Sequence, residues 1–184
     1  ALPRFGPWVA ADGMTRTVDY NDRASAVLWG DGAAAAVIST SEPAAAKVID
    51  CRFAGNPLAA DLIVVPRLGH FMQEGRKVQM FAIKKTASFV KELQEHHEDS
   101  ERDFHFIGHQ ANLRMLETVC RRCEIPEDRH HYNVDWYGNS GSSSSSCVAS
   151  MNWEKWGPSD DLGMVGVGSG VSWSRYLIRF QERR

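Results

Sequence analysis

As a pattern of apolar and polar positions, the chain alternates brief apolar runs with longer amphipathic ones. SAVLWGDGAAAAVIST (residues 25–40) holds two apolar runs divided by Gly-Asp-Gly, which predicts strand, tight turn, strand. KVIDCRFA (47–54) predicts a further strand of the same sheet, and residues 55–70, rich in Pro and Gly, predict irregular chain. In residues 75–97, Val78, Phe81, Ala82, Phe89 and Leu93 recur near helical spacing with Lys and Glu outside them, the pattern of an amphipathic helix.

DFHFIGH (103–109) predicts a strand ending at Gly108-His109, followed by a helix over 110–125 that Pro126 closes. HYNVDWYGN (131–139) also reads as strand-like. SCVASMNWEKW (146–156) predicts a helix stopped by Gly157-Pro158, and residues 162–180 predict two strands around Gly-Ser-Gly. Strands alternating with helices imply an α/β fold. Five consecutive serines, Ser142 to Ser146, look like a tether, yet they run into Cys147-Val148-Ala149, which a tether would not need.

With 184 residues, 43% of them hydrophobic and 24% charged, the chain is long enough for one domain with a substantial core. A net charge of −2 gives no general attraction to nucleic acid. No apolar run approaches the roughly 20 residues of a membrane span. The first residues lack an initiator Met and the features of a signal peptide, so the expectation is a cytoplasmic chain that begins partway through a longer protein.

Cys51, Cys120, Cys123 and Cys147 are scattered and form no disulfide framework. Cys120 and Cys123 have the spacing of redox or metal pairs but fall in a helix with no second pair, so packing is the expected role. His96-His97 and His130-His131 read as solvated pairs, and Asp31 as a structural carboxylate satisfying turn amides.

Three loops at strand ends hold the candidate chemistry: Gly108-His109-Gln110, Gly138-Asn139-Ser140 and Gly168-Ser169-Gly170. In open α/β sheets, sites assemble at the carboxyl ends of strands. A neutral imidazole and a carboxamide brought together offer two donors to one developing oxyanion, and a glycine-flanked turn offers backbone N–H groups to a second. Taken singly, each of these is an ordinary surface histidine or turn.

Four segments in order, NDRASAVLWGDGAAAAV, GHQANLRML, YGNSGSSSSS and GSGVSWSRYLIRF, resemble the C-terminal half of β-ketoacyl-acyl-carrier-protein synthase III, a thiolase-like condensing enzyme. The resemblance runs from about Val9 to the end of the chain. It implies the second half of a thiolase-like αβαβα fold. Residues 1–24 would be the end of the first half with a connecting loop, and 25–184 the half carrying the active-site His and Asn.

The resemblance further implies a Cys–His–Asn triad, with His109 and Asn139 supplying two of its members. The nucleophilic cysteine is expected on an N-terminal half, since no cysteine here matches its motif. Backbone N–H groups of Gly168, Ser169 and Gly170 would serve as an oxyanion hole, with Ser169 standing where the family has glycine. Arg114 fits an arginine associated with acidic carrier protein, Asn112 an asparagine near the phosphopantetheine arm, and Arg23 an arginine that stacks on coenzyme A adenine. Arg76 replaces an asparagine common beside the pantetheine tunnel.

The resemblance implies no cofactor and no metal. Acyl-CoA and malonyl-acyl-carrier protein would be substrates, and the complete enzyme a homodimer. The serine run is expected to be a helix start of small side chains crowded against the other half, with hydroxyls capping first-turn amides. Two readings stand: a decarboxylative condensing enzyme of fatty acid initiation or a specialised polyketide-type pathway, and a non-catalytic half packing on an active partner.

Apolar faces made to be covered by another half should leave the 184-residue chain unstable as a monomer. Gel filtration with denaturant unfolding checks this, and a monodisperse, cooperatively unfolding monomer overturns it.

Overall fold

The computed structural model describes residues 5–97, 99 and 101–182. Its centre is a four-stranded sheet in the order β3 (Ala46–Gly55), β8 (Ser172–Phe180), β7 (Asp160–Gly168), β6 (Asp103–Gly108). β6 and β7 run parallel, with Gly108 opposite Val165; β7–β8 and β8–β3 are antiparallel. Two-residue strands β4 (Ile63–Val64) and β5 (Met72–Gln73) pair separately.

Successive side chains on a strand face opposite ways, and β6 shows it. Phe106 joins an apolar cluster with helices α1 (Gly75–His96) and α2 (Leu113–Arg122), through Phe89, Val90, Leu116 and Val119. Ile107, the next residue, joins a second cluster with α4 (Ser144–Asn152), through Val148, Trp156 and Phe180. The sheet is thus covered on both faces by helices, and all four residues from His105 to Gly108 are buried.

Three expectations fail. Residues 25–40 give one strand, not two: Asp22 accepts from Ala24 N and Ser25 Oγ, and Ala26 N donates to Asp22 O, so local turns consume the first run. The second run is β2 (Asp31–Ser39), whose partner is β1 (Phe5–Gly13) in an unbroken antiparallel register. KVIDCRFA does not extend that sheet but forms β3, the edge of the central one. HYNVDWYGN is strand-like only at its last residue, Asn139, which bridges Trp29; Trp136 N and Tyr137 N both turn back to Asn133 O, making a single helical turn, α3 (Val134–Tyr137).

β1 lies within residues 1–24 and β2 within 25–184, so the two segments are joined by sheet hydrogen bonds. Phe5, Val9, Val37 and Ile38 on this ribbon remain exposed. No helix among the described residues is long and apolar enough to cross a membrane.

Two ion clusters fasten the sheet. Buried Asp161 on β7 accepts from Arg102 Nε at 2.8 Å and from Arg179 Nη2 at 2.7 Å, and Arg102 Nη2 also donates to Phe180 O at 3.2 Å. Buried Arg175 on β8 donates to Glu92 of α1 at 2.7 Å and Asp50 of β3 at 3.1 Å. Removing one member of such a set leaves its partners charged and desolvated. Asp161→Ala should therefore lower stability by roughly 3–5 kcal/mol, measured by denaturing parent and variant in the same assembled state.

Candidate active site

Because β6 and β7 are parallel, their carboxyl ends share one edge of the sheet. His109 follows β6 there, and the Gly168-Ser169-Gly170 turn follows β7 three residues beyond the Gly108–Val165 pair. Asn139 is positioned by a different route. Its N donates to Leu28 O at 2.8 Å and its O accepts from Gly30 N at 3.1 Å, so it pairs with the chain leading into β2. Gly30 permits this closeness: a Cβ there would overlap the Tyr137 carbonyl oxygen.

His109 is half-buried, and its ring makes no hydrogen bond among the described residues. Burial pushes its pKa down from 6.5 to about 4. The imidazole is therefore neutral at ordinary pH and keeps one N–H to donate. Asn139 is 7% exposed, and its Oδ1 accepts from Gly141 N at 3.1 Å. With the oxygen so engaged, the amide nitrogen is the end left to donate. Gly138 and Gly141, at φ 68° and 65°, give the tight path around it.

The serine run is packing, not tether, with one correction. Its hydroxyls do not cap the helix start: Ser143 Oγ donates to Ser140 O, Ser144 Oγ to Gly141 O and Ser145 Oγ to Gly108 O. The capping oxygen is Asp12 Oδ2 on β1, which accepts from Ser142 N at 2.8 Å, Ser142 Oγ at 2.6 Å and Ser143 N at 3.3 Å. Ser143 and Ser144 are fully buried, and a Cβ on Gly32 would lie 2.7 Å from Ser143 Oγ, so larger residues do not fit.

At the β7–β8 turn the positive φ, 115°, falls on Gly170 and not on Ser169, so the serine Cβ meets no backbone strain. Ser169 is exposed, and its O accepts from Ser172 Oγ at 3.0 Å. Asn112 and Arg114 are brought together on a cavity of about 250 Å³ with Val27, Leu28 and Gly138. Asn112 also caps α2, accepting from Met115 N at 3.2 Å. Arg23 sits apart on an exposed turn, and Arg76 on the exposed first turn of α1.

Asp31 behaves as expected, accepting from Thr15 N and Thr15 Oγ1. The histidine pairs do not. His97 Nε2 lies 2.9 Å from Asp50 Oδ2, His130 is buried against the Phe106 ring, and His131 Nε2 lies 2.9 Å from His105 Nδ1. Burial and then the neighbouring His105 push His131 down to about 4. Neither cysteine of the C-x-x-C pair is poised as a thiolate: burial and then Cys123 push Cys120 up to about 12, and burial raises Cys123, whose thiol donates to Ala87 O. Gln110 lies in the His109 loop and Ser145 in the serine run, but no sequence pattern assigns either its hydrogen bonds, and none points to Asp12.

A folded-state pKa near 4 lies below the 6.5 of an unperturbed histidine, so neutral His109 contributes stability in full above pH 6.5 that is lost as pH falls toward 4. An NMR titration of its imidazole should give a midpoint near 4, against 6.5 for an exposed ring.

Residues 93–180 match the family described as 3-oxoacyl-[acyl-carrier-protein] synthase III C terminal, and residues 8–57 match 3-oxoacyl-[acyl-carrier-protein] synthase III. A β-ketoacyl-[acyl-carrier-protein] synthase III of Aliarcobacter butzleri is 28% identical over 94% of this chain and 57% of its own length. The synthase III structure from Thermus thermophilus superposes with TM-score 0.86 at 27% identity, over 96% of this chain and 59% of that one. The priming β-ketosynthase of a polyketide pathway superposes with TM-score 0.83 at 22% identity, over 98% of this chain and 58% of that one. Two matches of one family in chain order, on the thiolase-like α/β fold of its structures, place this chain in the β-ketoacyl-acyl-carrier-protein synthase III family, and it spans a little under three fifths of the length of the relatives named.

Proposed function

We propose that this chain is the histidine- and asparagine-bearing half of a decarboxylative condensing enzyme that primes fatty acid or polyketide-type synthesis. The observations that support the reading are the neutral, half-buried His109 just after β6 and an Asn139 whose amide oxygen is already engaged. Two neutral donors suit an enolate, because a cationic imidazolium would instead give up its proton to it.

In the proposed sequence, a cysteine thiolate of the N-terminal half takes the acyl group from acyl-CoA, the thioester C–S bond breaks, and coenzyme A leaves as its thiolate, which takes a proton from water. Malonyl-acyl-carrier protein then loses carbon dioxide, and its C–C bonding pair becomes an enolate whose oxygen accepts from His109 and Asn139. The enolate carbon attacks the acyl-cysteine, and the tetrahedral oxyanion takes backbone N–H donors of the Gly168-Ser169-Gly170 turn. That attack forms the new C–C bond; collapse of the tetrahedral intermediate re-forms the carbonyl and breaks the C–S bond, returning the cysteine thiolate. Asn112 and Arg114 on their shared cavity suit a pantetheine amide and a carrier's acidic surface. Arg23 and Arg76 would meet the nucleotide and arm only where the assembled enzyme brings them close.

The exposed Phe5, Val9, Val37 and Ile38 support a covering N-terminal half, within a homodimer of complete cytoplasmic enzyme. The second reading, a half with no catalytic part of its own, draws on the cysteines. Cys51 is on a strand, Cys120 and Cys123 are buried, and Cys147 lies inside α4, so none sits at a helix start.

His109→Ala and Asn139→Ala, each paired with the cysteine-bearing half, should lose about 10²–10³-fold in carbon dioxide release from malonyl thioester while cysteine loading persists. Unchanged release in both variants favours the non-catalytic reading.

A further inference from the structure

We propose that Gln110 is a positioning residue that fixes the spacing of His109 and Asn139; this rests on the condensing reading above. Gln110 is 0% exposed, yet its side chain is polar at both ends. Nε2 donates to Gly108 O at 2.7 Å, and Oε1 accepts from Asn133 N at 3.0 Å. The first bond closes a loop around His109, gripping the chain on either side of it. Gly108 O also receives Ser145 Oγ at 3.0 Å, from the helix that follows Asn139.

The second bond reaches the other donor. Asn133 O accepts from Trp136 N at 3.1 Å and Tyr137 N at 2.9 Å, and Val134 O accepts from Gly138 N at 3.0 Å. Holding Asn133 therefore holds α3, and α3 delivers Asn139 to its pairing with Leu28 and Gly30. Between the imidazole and the carboxamide runs a continuous path of hydrogen bonds and one helical turn, with no free-swinging segment.

A carboxamide is suited to this place because it is donor and acceptor on one planar group. Met would fill the same space with neither bond, leaving Asn133 N buried without its acceptor. Glu would keep the acceptor for Asn133 N but set a carboxylate oxygen against Gly108 O. A role of filling space alone would be met by Met.

The test compares Gln110→Met and Gln110→Glu in this chain assembled with its cysteine-bearing half. Two half-reactions are followed: acyl loading of the cysteine by mass spectrometry, and carbon dioxide release from malonyl thioester. Both variants should load at the parental rate. Gln110→Met should lose about 100-fold in kcat for release with KM little changed, the effect of donors displaced by a fraction of an ångström to an ångström. Gln110→Glu should match that loss at neutral pH and recover as pH falls toward about 5.5, where its buried carboxyl takes up a proton and can donate to Gly108 O. His109, with a pKa near 4, stays neutral over that range.

Parental release by Gln110→Met, or loading and release falling in the same proportion, overturns the proposal. Should Gln110→Met not fold, Gln110→Glu decides: recovery in acid supports the proposal, and a loss flat with pH overturns it. Unimpaired release by His109→Ala and Asn139→Ala would instead remove the condensing reading, a result the Gln110 variants cannot produce.

Discussion

The parallel pairing of β6 with β7 is the constraint on which the rest of the structure depends. Parallel strands need cover on both faces, and here Phe106 and Ile107 point into separate apolar clusters under α1 and α2 on one side and α4 on the other. The same pairing places both carboxyl ends at one edge, with Gly108 opposite Val165. His109 and the Gly168-Ser169-Gly170 turn lie at the same end of the sheet because the strands beneath them run the same way. Were β6 antiparallel to β7, the two loops would sit at opposite ends of the sheet.

That edge is built from small and polar groups closely satisfied by backbone. Gly30 and Gly138 let two chain segments touch, and buried Ser143 and Ser144 let α4 approach Gly32. Asp12, more than a hundred residues away in sequence, closes the start of the serine-rich turn from β1. The consequence for chemistry is a partly buried surround in which His109 remains neutral and Asn139 has one amide end engaged. In such a surround a hydrogen bond to developing charge is stronger than it would be in water. Buried charge is paired within the sheet, in the Asp161 and Arg175 clusters that tie β3, β7 and β8 to one another and to α1.

Much of this was legible in the residues. The period of Val78, Phe81, Ala82, Phe89 and Leu93 marked α1 because the sheet lies along one face of that helix. The runs of 103–109 and 162–180 read as strands, and Gly168-Ser169-Gly170 as a turn, since burial and turn chemistry are local there. The order of the loop motifs pointed to the family, and with it to His109 and Asn139 as the residues to weigh. What local pattern misjudged was the apolar stretch before Gly30 and the segment before Asn139, where Asp22 and Asn133 redirect the backbone through turn hydrogen bonds. Those bonds compete with sheet pairing, and hydrophobic spacing does not register them.

By itself, then, the sequence determined α1, α2 and α4, the central strands, the glycine-bordered loops and the residue types able to hold an oxyanion. Only the tertiary structure decided which strands are partners, that β1 and β2 form a ribbon apart from the central sheet, and that Asp12 caps the serine run. It alone set the buried surround that lowers the His109 pKa, and the path through Gln110 that ties one loop to the next. The reason is physical: propensity and periodicity act over a few neighbouring residues, whereas desolvation and pairing depend on groups that meet only when distant segments pack together.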